Sequence, residues 1–351
     1  MELKQAFPKY TAPVAALVFI SPVLTELLMG AVHITNLWLL VPEMGVYGCG
    51  ALIIREVTRR LRRGWGTMLL LGFAFSIAEE CVILQTSLTP QFFTSISNGP
   101  SFGWAFGVQW IYLTAMLWYE SVYAVVLPIH LAELIFPHLR DDLWLSRRGL
   151  FASGVIFVLS SLGVWWMWGH IGVQKYGPSS YQIPTTQVGL ALVAIAVLVG
   201  ATFFPRPSSS PSKSNQRCWS PWIVGFAAFF HGLTWFLLIA LAYIPASTFP
   251  GAVPVIPIVI GLGWAGLALL VIRYLSHVQG WQDPHRLALI MGASLASMLG
   301  GVLVIISAST IDRVGKLVFD LAAMIFYVVL AGRLRKRGSA GTLAPRQPVQ
   351  G

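Results

Sequence analysis

The sequence predicts an all-α fold: a polytopic transmembrane helical bundle of about ten spans, with both termini cytoplasmic. Three observations predict it. Of 351 residues, 56% are hydrophobic and only 10% are charged, whereas soluble domains carry about 25% charged residues. Apolar runs of about 20 residues recur along the chain, the length that crosses a bilayer as a helix. The basic residues alternate between successive connections, as the preference of Lys and Arg for cytoplasmic loops requires.

The spans are expected at roughly 12–32, 37–55, 66–87, 104–136, 149–170, 187–204, 221–245, 252–273, 286–308 and 313–332. The first follows Lys4 and Lys9 as a signal peptide would. It is long, contains Pro22 and Glu26, and lacks a small-x-small cleavage site, so it is read as retained. The fourth is too long for one straight crossing and contains Pro128. It is either one long tilted helix or a span followed by an interfacial segment. With the N-terminus inside, twenty of the 23 Lys and Arg residues fall on the cytoplasmic side. Only Lys175, Arg313 and Lys316 lie elsewhere.

The net charge of +10 then follows from topology and from attraction to anionic inner-leaflet lipid. The expected partners are the bilayer of the cell membrane, these lipids and a small solute or ion, with no nucleic acid. The stretch PRPSSSPSKSNQR marks a flexible cytoplasmic linker over 205–220. It separates a six-span part, 1–204, from a four-span part, 221–337. A disordered basic tail is expected over 338–351. The three cysteines, Cys49, Cys81 and Cys218, give no disulfide framework.

Acidic residues carry the candidate chemistry. Glu26, Glu79, Glu80, Glu120 and Asp320 lie well inside expected spans, and Glu43, Glu56 and Glu133 lie nearer their ends. Ionisable groups inside a membrane are costly, so they face the bundle interior and mark binding or transport paths. On the expected topology Glu26, Glu43, Glu79 and Glu80 occupy the outer half. Glu120 sits near mid-membrane and Asp320 between the two levels. If their helices are neighbours, these carboxyls line one outward-facing cavity. In FAFSIAEECVILQTS the adjacent Glu79 and Glu80 point about 100° apart. They flank one polar stripe that Ser76, Thr86 and Ser87 extend. Two like charges in a low dielectric do not both ionise, so the pair is expected to retain a proton.

The remaining motifs are sparser. His231, in GFAAFFHGLTW, is read as a hydrogen-bonding strut, and His130 and Glu133 share a helical face. There is no H-E-x-x-H, no paired-Cys motif and no phosphate-binding glycine loop. No metal and no cofactor are expected. The glycines of GVYGCG and MGASLASMLGG read as close helix contacts.

The stretches SPVLTELLMG, YGCGALIIREVTRR, GWGTMLLLGFAFSIAEE and LPIHLAELIFPHLR resemble a group of uncharacterised prokaryotic multi-pass membrane proteins, a likeness that implies no activity. A more distant resemblance is to the CAAX-type (CPBP) intramembrane proteases. In that family an E-E-x-x-x-R helix and later histidines activate water. The resemblance assigns catalytic roles to Glu79, Glu80 and His231. Leu84 stands where the family has Arg, and Ala227 where it has the Phe before the histidine.

Three functions follow in order. The first is binding or translocation of a small cation, proton or amine-bearing solute by Glu26, Glu79, Glu80, Glu120 and Asp320. The second is a membrane-embedded CAAX-type hydrolase using Glu79, Glu80 and His231. The third is a structural or assembly role without chemistry. The topology itself is testable with reporter fusions. Fusions after residues 98, 178 and 248 are expected to report outside, and those after 64, 144 and 210 inside. Reversal at two or more sites contradicts the arrangement.

Overall fold

Each long apolar run becomes a helix, because a backbone in hydrocarbon must pair its polar groups within its own segment. The computed structural model describes residues 6–97, 101–172, 184–204 and 214–343. In chain order its principal helices are α1 (Lys9–Leu27), α2 (Ile34–Arg60), α3 (Trp65–Ile83), α4 (Trp110–Ile135), α5 (Arg147–His170), α6 (Thr185–Ala201), α7 (Pro221–Leu241), α8 (Val255–Ser276), α9 (Asp283–Val304) and α10 (Thr310–Arg337). All but α6 are long and apolar enough to cross a membrane. The chain is a multi-pass membrane protein of the cell membrane.

Polar contacts sort the connections into two ends. At one end Lys9 pairs with Asp142 at 3.1 Å, and Arg140 pairs with Asp283 at 2.8 Å. Arg63 donates there to the Phe204 carbonyl at 3.1 Å. Residues Ser214–Arg217 pair in parallel with Val278–Gln279. At the opposite end Thr35 Oγ1 donates to Asp312 at 2.8 Å, and Phe102 N–H to the Ile244 carbonyl at 2.8 Å. Gln187 donates to the Phe106 carbonyl at 3.0 Å. Helix α6 therefore runs between the same two ends as its neighbours. Its 17 residues cover about 25 Å at about 1.5 Å each.

Burial separates an inner set of helices from a lipid-facing set. Of the most apolar window, 72% is buried in α4 and 67% in α3, against 11% in α5 and 6% in α8. Val259, Ile260, Leu262 and Leu270 project from α8 with most of their surface uncovered. Such a continuous apolar face suits acyl chains rather than water. The expected glycine contacts are present. A Cβ on Gly48 would strike the backbone of Val18, and one on Gly292 the backbone of Gly225. Those pairs let α2 approach α1 and α9 approach α7 backbone to backbone.

Several boundaries differ from expectation. Residues 104–109 are not helical. Trp104–Ala105 pair antiparallel with Val108–Gln109 around Phe106 and Gly107, whose φ values of 53° and 76° suit a tight hairpin turn. The Gln109 side chain then caps α4 by accepting from the Ile111 and Tyr112 N–H groups. From Trp110 the fourth span is one helix to Ile135. Helix α3 stops at Ile83, with Gln85 left-handed at φ 55°. The expected linker falls partly outside the described residues, at 205–213, while Ser214–Arg217 form the strand described above. The last helix continues to Leu343, into the segment expected to be an unstructured tail.

At the Lys9–Asp142 end a buried ion network ties the 137–145 loop to α2 and α4. Arg55 is fully buried and its guanidinium lies 3.4 Å over the Trp144 ring. It pairs with Glu56 at 2.8 Å and Glu133 at 3.2 Å, and donates to the Arg140 carbonyl at 2.8 Å. Glu56 also accepts the Trp144 N–H at 2.9 Å, and Arg59 meets Glu133 at 2.6 Å. Removing one partner from such a network strands a buried charge, at a cost of about 3–5 kcal/mol. Glu56→Ala is therefore expected to lower the thermal midpoint of the detergent-solubilised protein sharply. Glu56→Gln still accepts the Trp144 N–H and is expected to lower it less. An unchanged midpoint for Glu56→Ala contradicts this role.

Candidate functional site: a buried carboxylate cluster

Four helices leave the α geometry at the level of their acidic residues. Helix α1 widens to a π turn over Val23–Leu27, which contains Glu26. Helix α2 does so over Met44–Gly48, just after Glu43 and around Tyr47. Helix α3 does so over Glu79–Ile83, and α4 over Ser121–Val126, just after Glu120. In each turn an N–H reaches back five residues: Leu28 to Val23, Cys49 to Met44, Leu84 to Glu79 and Leu127 to Val122. In α4 this widening lies next to Pro128, which offers no N–H and whose ring crowds an ordinary turn. A π turn inserts one residue and rotates the side chains around it. The backbone stays paired while the carboxylates are turned inward.

The result is a compact acidic site. One carboxylate oxygen from each of Glu79, Glu80 and Glu120 lies within 4.8 Å of the others, and all three residues are buried. Glu79 is within hydrogen-bond reach of both Glu80 and Glu120. Tyr47 donates to Glu79 Oε1 at 2.9 Å, and Ser87 donates to Glu80 Oε2 at 3.1 Å. Tyr112 also reaches Glu80, and Tyr47 also reaches Glu26. Two oxygens, Glu79 Oε2 and Glu120 Oε2, have no donor among the described residues. A carboxylate accepts and cannot donate, so two that meet need a proton, a cation or a bridging donor such as water between them. Among the described residues no Lys or Arg forms an ion pair with Glu26, Glu79, Glu80 or Glu120. The ion pairs lie elsewhere.

The arrangement separates residues that looked alike in the sequence. Glu79, Glu80 and Glu120 converge, and Glu26 and Glu43 are electrostatic neighbours of Glu79. Asp320 does not join them. It pairs with Lys316 at 2.5 Å one turn earlier on α10, and Lys316 also donates to the Met298 carbonyl at 3.2 Å. Ser76 donates to the Met116 carbonyl at 3.0 Å and so fastens α3 to α4 instead of extending a polar stripe. Ser87 reaches Glu80 through the turn after α3, not along a helix face.

His231 belongs to another environment. Its ring is 5.4 Å from Trp118, 5.9 Å from Trp235 and 5.4 Å from Trp264. Trp118 and Glu120 are two positions apart on α4, about 200° around the helix. His231 therefore lies on the side of α4 away from Glu120, and no hydrogen bond joins it to a carboxylate among the described residues. The Tyr47 and Tyr112 phenols were missed as site residues. The sequence signal was their place on the same spans as Glu43 and Glu120, one or two turns away.

The chain is thus a membrane-embedded helical bundle with a buried three-glutamate cluster, able to hold a cation or to serve acid–base chemistry. No protein-family profile matches it, and comparison with curated proteins and with solved structures gives no significant match.

Proposed function

We propose that the protein binds a small cation or proton at Glu79, Glu80 and Glu120 and carries it across the membrane. The observation that carries this reading is the mutual approach of three buried carboxylates, two of which present oxygens without a donor. At an effective dielectric near ~20, two unit charges about 5 Å apart repel by about 3 kcal/mol. Three ionised carboxylates contain three such pairs, roughly 10 kcal/mol that a proton or cation offsets and no described basic side chain does. The π turns support the same reading, because such widenings concentrate at functional sites.

The reading includes ten crossings with both termini cytoplasmic. Helix α6 is then a short crossing, in keeping with its contacts at both ends. Glu80 contacts Ser87, which leads into the connection that carries Phe102 and Phe106. On this topology that connection is outside, so the cluster is entered from the outer face. The CAAX-type hydrolase gains no support from the geometry, since its histidine would be His231, which stacks among tryptophans.

Proteoliposomes test the proposal. The carboxyls release a proton when they take a cation, so an inward gradient of Na+, K+ or Ca2+ is expected to drive protons outward, read by an internal pH dye. Glu79→Gln and Glu120→Gln are expected to cut the rate at least tenfold while leaving the thermal midpoint nearly unchanged, because the amide keeps the size of the carboxyl and at position 79 still accepts from Tyr47. Asp320→Asn is expected to retain transport. Gln variants as active as the wild type overturn the proposal, as does the absence of any flux with all three ions.

A further inference from the structure

A second site lies on the other side of α4. A groove of about 540 Å³ runs between α4, α7, α8 and α9. Its walls are almost wholly apolar, with Leu267, Ala268, Val271, Ile290 and Ala293 among them. Its floor is the aromatic box of Trp118, His231, Trp235 and Trp264. Its other end opens at the Lys9–Asp142 end of the bundle, beside Trp219, His277, Trp281 and Arg286. Helix α8, the least buried of the long helices, forms one wall, so the groove borders lipid.

We infer that this groove holds one acyl chain of an anionic phospholipid, with the phosphate at Arg286. The first argument is polarity along its length. A mid-membrane apolar channel that ends at tryptophans and a guanidinium reproduces the profile of a single leaflet, where indoles sit at headgroup level. The second is charge. Arg286 Nη1 lies 3.7 Å from Asp283 Oδ1, but that same oxygen is held at 2.8 Å by Arg140. Asp283 faces two guanidiniums, and Glu133, the other carboxylate near Arg286, is itself held by Arg55 and Arg59, so a positive charge is left over at the mouth. A phosphodiester supplies the missing anion, and Arg pairs with it through two parallel N–H donors. The third is position. Arg286 belongs to the end where most basic residues gather, the level at which anionic headgroups collect.

Native mass spectrometry of the full chain in mild detergent tests the site, with phosphatidylglycerol and phosphatidylcholine of identical dioleoyl chains as probes. The wild type is expected to retain one phosphatidylglycerol at least fivefold more than phosphatidylcholine. Arg286→Gln is expected to erase that preference, and Arg286→Lys to keep most of it. Ala268→Phe, which fills the groove from α8, is expected to lose both lipids with a thermal midpoint in lipid-free detergent close to that of the wild type. Equal retention of the two lipids by the wild type overturns the headgroup assignment. Retention of phosphatidylglycerol by Ala268→Phe at the wild-type level overturns the groove. Should Ala268→Phe fold poorly, Leu267→Trp offers a second filling variant judged by the same two outcomes.

Discussion

Inside a bilayer every backbone N–H and C=O must find its partner within the protein. This constraint governs how the chain builds a polar site. Loops cannot be brought to mid-membrane cheaply, so the carboxylates have to ride on helices. An unbroken α-helix would fan Glu79 and Glu80 about 100° apart. The π turns at Val23–Leu27, Met44–Gly48, Glu79–Ile83 and Ser121–Val126 reconcile these demands. Each keeps the backbone paired and re-aims the side chains beside it. Close approach then brings the helices within reach, with Gly72 of α3 against Ser121 of α4 and Gly48 of α2 against Val18 of α1.

Charge is handled in two opposite ways at two levels. In the Arg55 network acids and bases are matched: Glu56 and Glu133 face Arg55 and Arg59, and Arg55 also donates to the Arg140 carbonyl. Such a cage is rigid and needs no ligand. Around Glu79 the donors are phenols and a hydroxyl, from Tyr47, Tyr112 and Ser87, with no Lys or Arg paired to it among the described residues. That surplus of acceptors is one that a proton or a cation can satisfy. The unequal treatment of similar residues is the physical basis for reading one level as scaffold and the other as site. Lys316 and Asp320 fall with the scaffold, as a buried pair one turn apart.

Much of the fold was legible because apolar length is a local property. The runs around Leu17, Leu71 and Ile290 became helices, and Gly48 and Gly292 became contact points, without any knowledge of neighbours. The inward orientation of Glu79 and Glu80 was legible from the cost of exposing them to lipid. Which acid would join them was not. Glu120 and Asp320 looked equivalent, and only the packing of α3 on α4 chose between them. A signal for Asp320 was nonetheless present, since Lys316 stands four residues before it. The hairpin at 104–109 was hidden by its hydrophobic residues, although Gly103 and Gly107 mark the turn. The π turns left less trace. Pro128 adjoins one of them, but Glu79–Ile83 has no proline and no sequence mark of its own.

The account rests on a proton or cation satisfying the oxygens of Glu79 and Glu120. Difference infrared spectroscopy of the membrane-reconstituted protein observes that directly, through the carbonyl stretch of a protonated carboxyl. The account predicts that this band is present in the cation-free wild type, shifts in heavy water, disappears on adding the transported cation, and is absent from the Glu79→Gln, Glu120→Gln double variant. A wild-type spectrum with no protonated-carboxyl band that changes with any of these treatments contradicts it.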